Sequence, residues 1–507
     1  MLFRSLTAAY FSREWKTEVK VGEFSFSLSQ GVLLKDILVK DRRDTVLFAT
    51  HQLGLQPDIK QLWNGSLHVR KVLVDGGEFQ LITHKGDSAL NLQFIIDYFT
   101  PADTTPKPPD TTPGKPFHIS GAMVVIRDFR FHFQDCNAEP VPEGMDYANI
   151  DVSHIDLNIS NFSISGDTIN ANITSLMARE RSGFDLLSFS GEASVCSHYV
   201  KVRNLKILTP RSDLDLDFAM LYDGYPAFLD FLNQVTITGD IRPSVFNLAD
   251  IGYFAPEVKV MDNPLRLEGE LEGTVSKFHV KEIRLSLGEG TTFSGSLLAA
   301  GLPDIYSTYV DLDIRNFTSN LRDIEQFHIP TDPDTIPLPA ELARLGTFTL
   351  NGRFTGFWDD FTADFNLSTQ LGNASGNLNL NRLESSRTYS YQGQVALVSF
   401  NAGTLLGIQD LIGDVTLHGS VTGRGLDSKS ADLLMNLAVD SIYLNQYNYS
   451  KIAVNGTLAN EKFDGMLSFR DPNVWLDFNG SADFHDSLPS FDFNALIHHA
   501  QLFDLHL

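Results

Sequence analysis

Asp213, Asp215 and Asp217 stand at alternate positions, as at the opening of a calcium loop. The loop also needs a glycine at its sixth position and a glutamate at its twelfth, but the sixth here is Phe218 and leucines separate the aspartates. His498 and His499 are adjacent, so in a strand they face opposite ways, and no carboxylate stands at helical spacing to complete a site. Gly288-Glu-Gly290 and Gly423-Arg-Gly425 do not continue into a dinucleotide fingerprint or a P-loop. Gly372-Asn-Ala-Ser-Gly376 places its serine one position too late for a hydrolase elbow. Trp358-Asp-Asp360 offers paired carboxylates, which in so acidic a chain distinguish nothing. With no HExxH and no coherent triad, the sequence predicts no enzyme, no cofactor and no metal centre. Cys136 and Cys196 are the only cysteines, compatible with one disulfide or with two unpaired thiols.

Composition narrows the alternatives. The 507 residues suit about three domains or one long array, and a 43% apolar share excludes disorder. The chain holds 37 Phe against 14 Tyr and 4 Trp, which suggests broad sheet surface without polar handles. A net charge of −24 argues against nucleic acid and against electrostatic binding to anionic lipid heads. No stretch reaches the roughly 18 apolar residues of a membrane span, and residues 1–10 lack the layout of a signal peptide.

The elements that must position any site are strands. Alternation of apolar and polar residues marks Thr17-Glu-Val-Lys-Val-Gly-Glu-Phe-Ser-Phe-Ser-Leu28, and further strands are predicted over 31–40, 46–49, 66–74 and 78–83. Asp75-Gly76-Gly77 predicts a tight turn between the last two. Residues 4–15 and 91–99 predict short helices, and 101–116, with six prolines, an exposed extended loop. Beyond it alternation is nearly continuous. It puts Phe129, Phe131 and Phe133 on one face, and likewise Ile155, Leu157 and Ile159; Leu214, Leu216 and Phe218; Leu312 and Ile314; and Leu476 and Phe478. No βαβ pattern occurs, so the sheet is expected to be antiparallel. The last stretch, 491–505, predicts a strand entering a short helix.

One phrase recurs. Leu-Glu-Gly269-Glu-Leu-Glu-Gly273, Leu-Asn-Gly352-Arg-Phe-Thr-Gly356 and Leu-His-Gly419-Ser-Val-Thr-Gly423 share glycines four apart, each preceded by a short helical stretch led by Phe246, Phe317 or Phe400. Such self-similarity predicts a repeat architecture. Its glycines are expected to let a strand bend or bulge where the sheet curls. The segments are then 1–100 at the N-terminus, 101–117 as the Pro-rich loop, 118–243 as strands, repeats at 244–315, 316–398 and 399–495, and the start of a further unit at 496–507. The expected fold is all-β: an elongated antiparallel β-groove, a curled sheet with a few short helices.

A sheet with one apolar face must cover it, and hydrocarbon chains can do so where side chains do not. At about 25 cal/mol per Å², an acyl chain of roughly 300–400 Å² gains about 7–10 kcal/mol before entropic costs. With strands about 4.8 Å apart, each repeat of six or so strands adds roughly 30 Å of groove. The thirteen apolar residues named above are the candidate groove lining, and the six phrase glycines are structural.

Specific stretches resemble the N-terminal segment of AsmA-like envelope proteins, and most closely TamB-type proteins of Bacteroidota-like bacteria. They are Thr17-Glu-Val-Lys-Val-Gly22, Leu33-Leu-Lys-Asp-Ile-Leu-Val-Lys-Asp41, Asp44-Thr-Val-Leu-Phe-Ala49, Leu67-His-Val-Arg-Lys-Val-Leu-Val-Asp-Gly76 and Asn91-Leu-Gln-Phe-Ile-Ile-Asp97. Leu338-Pro-Ala-Glu-Leu, Gly352-Arg-Phe-Thr-Gly356 and Gly372-Asn-Ala-Ser-Gly-Asn-Leu378 fit the same family, so the likeness covers nearly the whole chain through order and spacing. The resemblance implies a periplasmic, inner-membrane-anchored bridge that carries phospholipid towards the outer membrane, or supports assembly of outer-membrane proteins. It implies a membrane helix before Leu2 and a C-terminal TamB domain that meets an Omp85-class barrel; both are missing here, so the chain is expected to be a fragment. Two rival expectations stand beside it: a structural or adhesive array of dry sandwiches, and a polysaccharide-active β-solenoid, which would need carboxylates among aromatic platforms where Trp is scarce.

Overall fold

A computed structural model describes residues 2–27, 31–57, 69–99, 118–254, 263–326, 340–383, 388–425, 431–483 and 488–506. The expected Pro-rich loop lies outside the described residues. The chain forms two compact units, Met1–Leu267 and Glu268–Leu507. The fold class is all-β: a curled sheet that does not close, with few short helices.

In the first unit, helix α1 (Leu2–Trp15) packs on β1 (Val19–Ser27). Then follow β2 (Gly31–Lys40), β3 (Val46–Pro57), β4 (Val69–Thr83) and helix α2 (Gln93–Phe99). Next come β5 (His118–Asp135), β6 (Asn149–Ser165), β7 (Thr168–Glu180), β8 (Asp185–Val195), β9 (Tyr199–Leu208) and β10 (Asp213–Leu221). A short turn of helix, α3 (Phe231–Gln234), leads to β11 (Thr236–Asn247) and α4 (Leu248–Ile251). Neighbours in sequence pair antiparallel with one exception: β4 and β5 run parallel, Lys71 opposite Met123 through Thr83 opposite Asp135. That corrects the expectation of an antiparallel sheet throughout.

Strand β12 (Pro264–Thr274) carries the first copy of the phrase and spans the division. The second unit continues as β13 (Lys277–Leu287), β14 (Thr291–Ala300), β15 (Tyr309–Ser319), α5 (Leu321–Gln326), a 3-10 turn (Ala340–Leu345), β16 (Phe348–Phe357), β17 (Asp360–Thr369) and β18 (Gly372–Leu383). It closes with β19 (Thr388–Asn401), α6 (Ala402–Leu406), β20 (Ile412–Arg424), β21 (Asp432–Leu444), β22 (Tyr447–Ala459), β23 (Lys462–Arg470), β24 (Val474–Asp483) and β25 (Ser490–Ala500). From β13 onward every described pairing joins consecutive strands antiparallel. The helix expected near the end is instead a strand to Ala500 and then turns.

The Asp75-Gly76-Gly77 turn is also corrected. Both glycines lie inside β4, at φ 62° and 144°. A Cβ at Gly77 would stand 2.1 Å from the Ala49 carbonyl oxygen, so the neighbouring strand rather than a reversal requires glycine there. Beside one phrase glycine the register does slip: between β15 and β16 the pairing shifts between Gly352 and Leu350. Asp128 and His154 sit at φ 42° and 52°, and the register between β5 and β6 slips between Ile126 and Phe129. Their side chains meet across the strands, His154 Nδ1 to Asp128 Oδ1 at 3.3 Å. Similar left-handed residues are Asp36 in β2, Asn204 in β9, Glu282 in β13, Ser399 in β19 and Lys451 in β22. At Asn204, Glu282 and Ser399 the register slips by one, and such an extra residue bends its strand while returning the apolar side chains to the same face.

By contrast β16 and β17 pair without a slip, Gly352 opposite Phe365 and Gly356 opposite Phe361. A Cβ at Gly352 would lie 2.0 Å from the Asp364 carbonyl oxygen. The phrase glycines of β16 are thus places of close approach, each with a phenylalanine opposite, a pairing in which the ring covers the gap left by glycine. Gly376, Gly456, Gly465 and Gly480 likewise have a phenylalanine atom within 3.3 Å of where a Cβ would stand. This accounts for part of the phenylalanine excess.

The helical turns before the phrase act as clamps. Asn247 caps α4 by accepting from Ala249 N, and Asn401 caps α6 by accepting from Thr404 N. Asp250, on α4, accepts from Thr209 Oγ1 and Ser212 Oγ, both at 2.6 Å, in the β9–β10 turn. Asp323, on α5, accepts from Thr291 Oγ1 at 3.0 Å and Gly290 N at 3.1 Å in the β13–β14 turn. Both carboxylates are buried and each accepts two hydrogen bonds at one oxygen, which offsets part of the cost of burying them.

Candidate functional site

In the second unit the apolar positions line up across strands. Reading directly opposite partners from β13 to β25 gives Ile283, Gly295, Ile314, Gly352, Phe365, Gly376, Val395, Gly419, Leu437, Val454, Leu467, Phe478 and Ala495. No polar side chain interrupts this row. A parallel row runs from Val280 through Leu312, Phe354 and Met435 to Phe493, again wholly apolar or glycine. Two flanking rows, from Leu285 to Ile497 and from Phe278 to Phe491, contain one hydroxyl between them, that of Tyr391. Turned over, the same strands present Asp313, Arg353, Asp364, Asn377, Gln394, Ser420 and Asn436 in one continuous row.

Burial separates these rows. In the two central ones Gly295 alone is buried; the others through Phe478 are half-buried, and Phe493 and Ala495 are exposed. The flanking rows include buried Ala299, Leu380, Val439, Ile452 and Ala482. The opposite face, at Asp364, Asn377, Gln394, Asn436 and Asn479, is exposed. The sheet therefore curls around its apolar face, shielding the margins while leaving the middle open. A packed sandwich would bury the middle most deeply. Four rows at two-residue spacing make this surface about 20 Å wide, and the steps from β13 to β25 make it roughly 58 Å along the sheet. That exceeds the few hundred Å² of apolar patch usual on a soluble monomer.

The first unit shows the same arrangement. Phe24, Leu34, Leu53, Val74, Ile126, Leu157, Leu176, Phe189, Ile207 and Leu214 stand opposite one another from β1 to β10. Phe48, Phe79, Phe129 and Phe131 touch ring to ring beside it, with centroids 6.2–6.5 Å apart. Of the sequence candidates, Phe129, Phe131, Phe133, Ile155, Leu157, Ile159, Leu214, Leu216 and Phe218 share this face of the first unit. Leu312, Ile314, Leu476 and Phe478 share that of the second. The sequence reading missed Phe48 and Phe79; it named Gly352 and Gly356 as structural but not the phenylalanines opposite them.

The polar face carries a series of ion pairs. Asp215 pairs with Arg242 at 2.5 Å, and Asp217 with the same guanidinium at 3.5 Å, which places the aspartate run on a strand's solvated side. Arg353 binds Asp311 through two bonds of 2.8 and 2.7 Å and holds its carboxyl below the usual carboxylate range. His498 meets one carboxylate, Asp477, at 3.5 Å. Both cysteines are free thiols. Asp167, Cys196 and His198 bring donor atoms within 4.8 Å of one another. Between them Ser197 Oγ donates to Asp167 at 2.7 Å and lies 2.8 Å from His198 Nδ1. In a nucleophilic relay the carboxylate must orient the imidazole; here it binds the hydroxyl, so this trio is a turn–turn contact.

Comparison with known proteins finds no family model, no curated protein and no solved structure that matches the chain.

Proposed function

We propose that the chain is part of a lipid-transfer protein that lets phospholipid acyl chains move along the apolar face of its curled sheet. The observation that carries this reading is the open middle of that face: two central rows of apolar residues and glycine, nowhere interrupted by a polar group and, apart from Gly295, not buried. A width of about 20 Å accommodates an acyl chain, since one leaflet of the roughly 30 Å hydrocarbon core is about 15 Å deep. The absence of charge along the rows lets a chain slide without exchanging one specific contact for another. In this proposal the cargo is phospholipid, the place of action is the periplasm of a cell envelope, and the kinship is with AsmA-like, TamB-type proteins, whose membrane anchor and barrel partner would belong to the complete machinery. No catalytic step is involved.

The test is capture. A photocrosslinking residue placed at Leu437 or Val421, in the central rows, is expected to label phospholipid in cells and in reconstituted vesicles, while the same residue at Asn436 on the opposite face is not. Phe365→Asp is expected to reduce labelling at Leu437 at least tenfold with the circular dichroism spectrum unchanged. Equal labelling on both faces, or none from either, together with a lipid-free native mass spectrum, would favour a structural β-array and end the proposal.

A further inference from the structure

Two hairpin turns of the first unit bring three metal-binding side chains together. Ser165 pairs with Thr168 and Val195 with Val200, so Asp167 lies in the β6–β7 turn and Cys196, Ser197 and His198 in the β8–β9 turn. The pairing of Ile169 with Val195 sets these turns side by side. One donor atom from each of Asp167, Cys196 and His198 lies within 4.8 Å of the other two. Among the described residues of a chain with 63 acidic side chains, this is the one such grouping. Cys196-Ser-His198 by itself has no zinc-site spacing, and the third donor comes from the neighbouring hairpin.

The mixture of donors is selective. Calcium and magnesium take oxygen ligands, whereas a thiolate, an imidazole and a carboxylate together are a set that zinc accepts. Cys196 is 6% exposed, and the His198 amide donates to its Sγ at 3.4 Å, an outer contact that supports a metal-bound sulfur. Tyr222 fixes the same turn: its Oη donates to the Cys196 carbonyl at 2.8 Å and its amide to the His198 carbonyl at 3.0 Å. Ser197 Oγ, 2.7 Å from Asp167 Oδ2 and 2.8 Å from His198 Nδ1, holds carboxylate and ring towards each other. Tetrahedral zinc, with bonds of about 2.0–2.3 Å, needs its ligand atoms about 3.3–3.6 Å apart, so closing the site takes a shift of about 1 Å. Asp167 and His198 are exposed and reach that spacing by side-chain rotation, against a buried and fixed sulfur.

We propose that Asp167, Cys196 and His198 bind a zinc ion, with water completing the tetrahedron. The carboxylate and the thiolate together balance the charge of the dication. Because its ligands come from two hairpins, only the folded unit assembles the site, and the ion ties β6–β7 to β8–β9. The site stands at strand ends, apart from the apolar rows, and does not depend on whether lipid is the cargo.

The experiment is titration of the full chain with cobalt(II) and with zinc, read by sulfur-to-cobalt charge transfer in the near ultraviolet and by the melting midpoint. One cobalt per chain is expected to give the charge-transfer band, and zinc to displace it. Excess zinc is expected to raise the melting midpoint by several degrees where magnesium does not. Cys196→Ser is expected to remove the band, with the metal-free circular dichroism spectrum matching the parent, and Cys136→Ser to leave it unchanged. Asp167→Asn and His198→Ala, on exposed turn positions that keep the sulfur, are each expected to weaken zinc at least tenfold, with the band still formed at higher cobalt. These two variants carry the test if Cys196→Ser does not fold. No band at saturating cobalt overturns the proposal, and so does a band that survives Cys196→Ser or is lost in Cys136→Ser. Zinc affinity that moves less than twofold in both Asp167→Asn and His198→Ala overturns it as well, as does magnesium raising the midpoint as much as zinc.

Discussion

Gly352 shows how a single missing side chain serves the sheet. Its φ of 154° and the 2.0 Å from its notional Cβ to the Asp364 carbonyl oxygen leave no room for any other residue. Gly352→Val is expected to cost about 3 kcal/mol or more in urea unfolding of the second unit, since it adds backbone strain to a clash with a paired strand. Gly86, at φ 86° with nothing within 4 Å, is the control: Gly86→Ala is expected to cost only about 1 kcal/mol. Gly352 stands in the repeated phrase and Gly86 does not, but the phrase alone does not tell how closely a neighbour approaches. What differs is the strand that lies opposite, which is a property of the pairing. The same limit explains Asp75-Gly76-Gly77. An Asp-Gly-Gly stretch suits a two-residue turn and a bulge equally, and only the approach of Ala49 decides between them. The alternating runs at Phe129, Phe131 and Phe133, and at Leu312 and Ile314, were legible because a strand's two faces are written in its own residues.

At the scale of the element, several turns are secured by a hydrogen-bonded carboxylate, among them those at Asp250, Asp323 and Asp471. Asp471, in the turn between β23 and β24, accepts from Tyr447 Oη at 2.7 Å, Ser450 Oγ at 2.8 Å and the amides of Ser450 and Asn473 at 2.9 Å. Burial pushes its pKa up, but those four donors outweigh burial and the net displacement is downward. Burial and the same carboxylate push Tyr447 up to about 12. A depressed folded pKa means that the contribution is complete above the unfolded value near 3.9 and disappears as pH falls through the lower folded value. Asp471→Asn is therefore expected to lower the melting midpoint of the second unit at pH 7, by about 2 kcal/mol of stability. The gap between variant and parent should shrink once the pH drops below about 4. A gap that stays constant to pH 2 would mean that the carboxylate's charge is not what holds the turn. The alternation revealed the strands and the leading phenylalanines revealed the helical turns, but these clamps span separate hairpins. Asp250 reaches back to Thr209, across 41 positions. The parallel pairing of β4 with β5 was illegible for the same reason, since a strand's own residues do not encode the direction of its neighbour.

For each unit as a whole, the distinction that matters is between the middle and the margins of the apolar face. No sequence pattern separates Leu437 from Val439, two residues apart on one side of β21, yet the first lies on the open floor and the second is 7% exposed. Curling makes that difference, and it predicts unequal mutational responses. Val439→Ala is expected to destabilise the second unit by about 1–3 kcal/mol, whereas Leu437→Ala should cost less than half as much and instead weaken lipid capture. Because no cation lines the rows, lipid capture is also expected to be insensitive to salt, changing less than twofold between about 0.05 and 0.5 M, where electrostatic binding would weaken strongly.

The consecutive pairing from β13 to β25 has a consequence for how such a protein can change length. In the sheet each strand there is hydrogen-bonded only to its predecessor and successor, so the ladder itself does not fix how many there are. Removing one hairpin, such as β17 with β18 at residues 360–383, brings β16 next to β19 with chain direction preserved and both faces unchanged, whereas removing one strand reverses everything after it. Lineages are then free to lengthen or shorten the sheet in paired increments of about 10 Å.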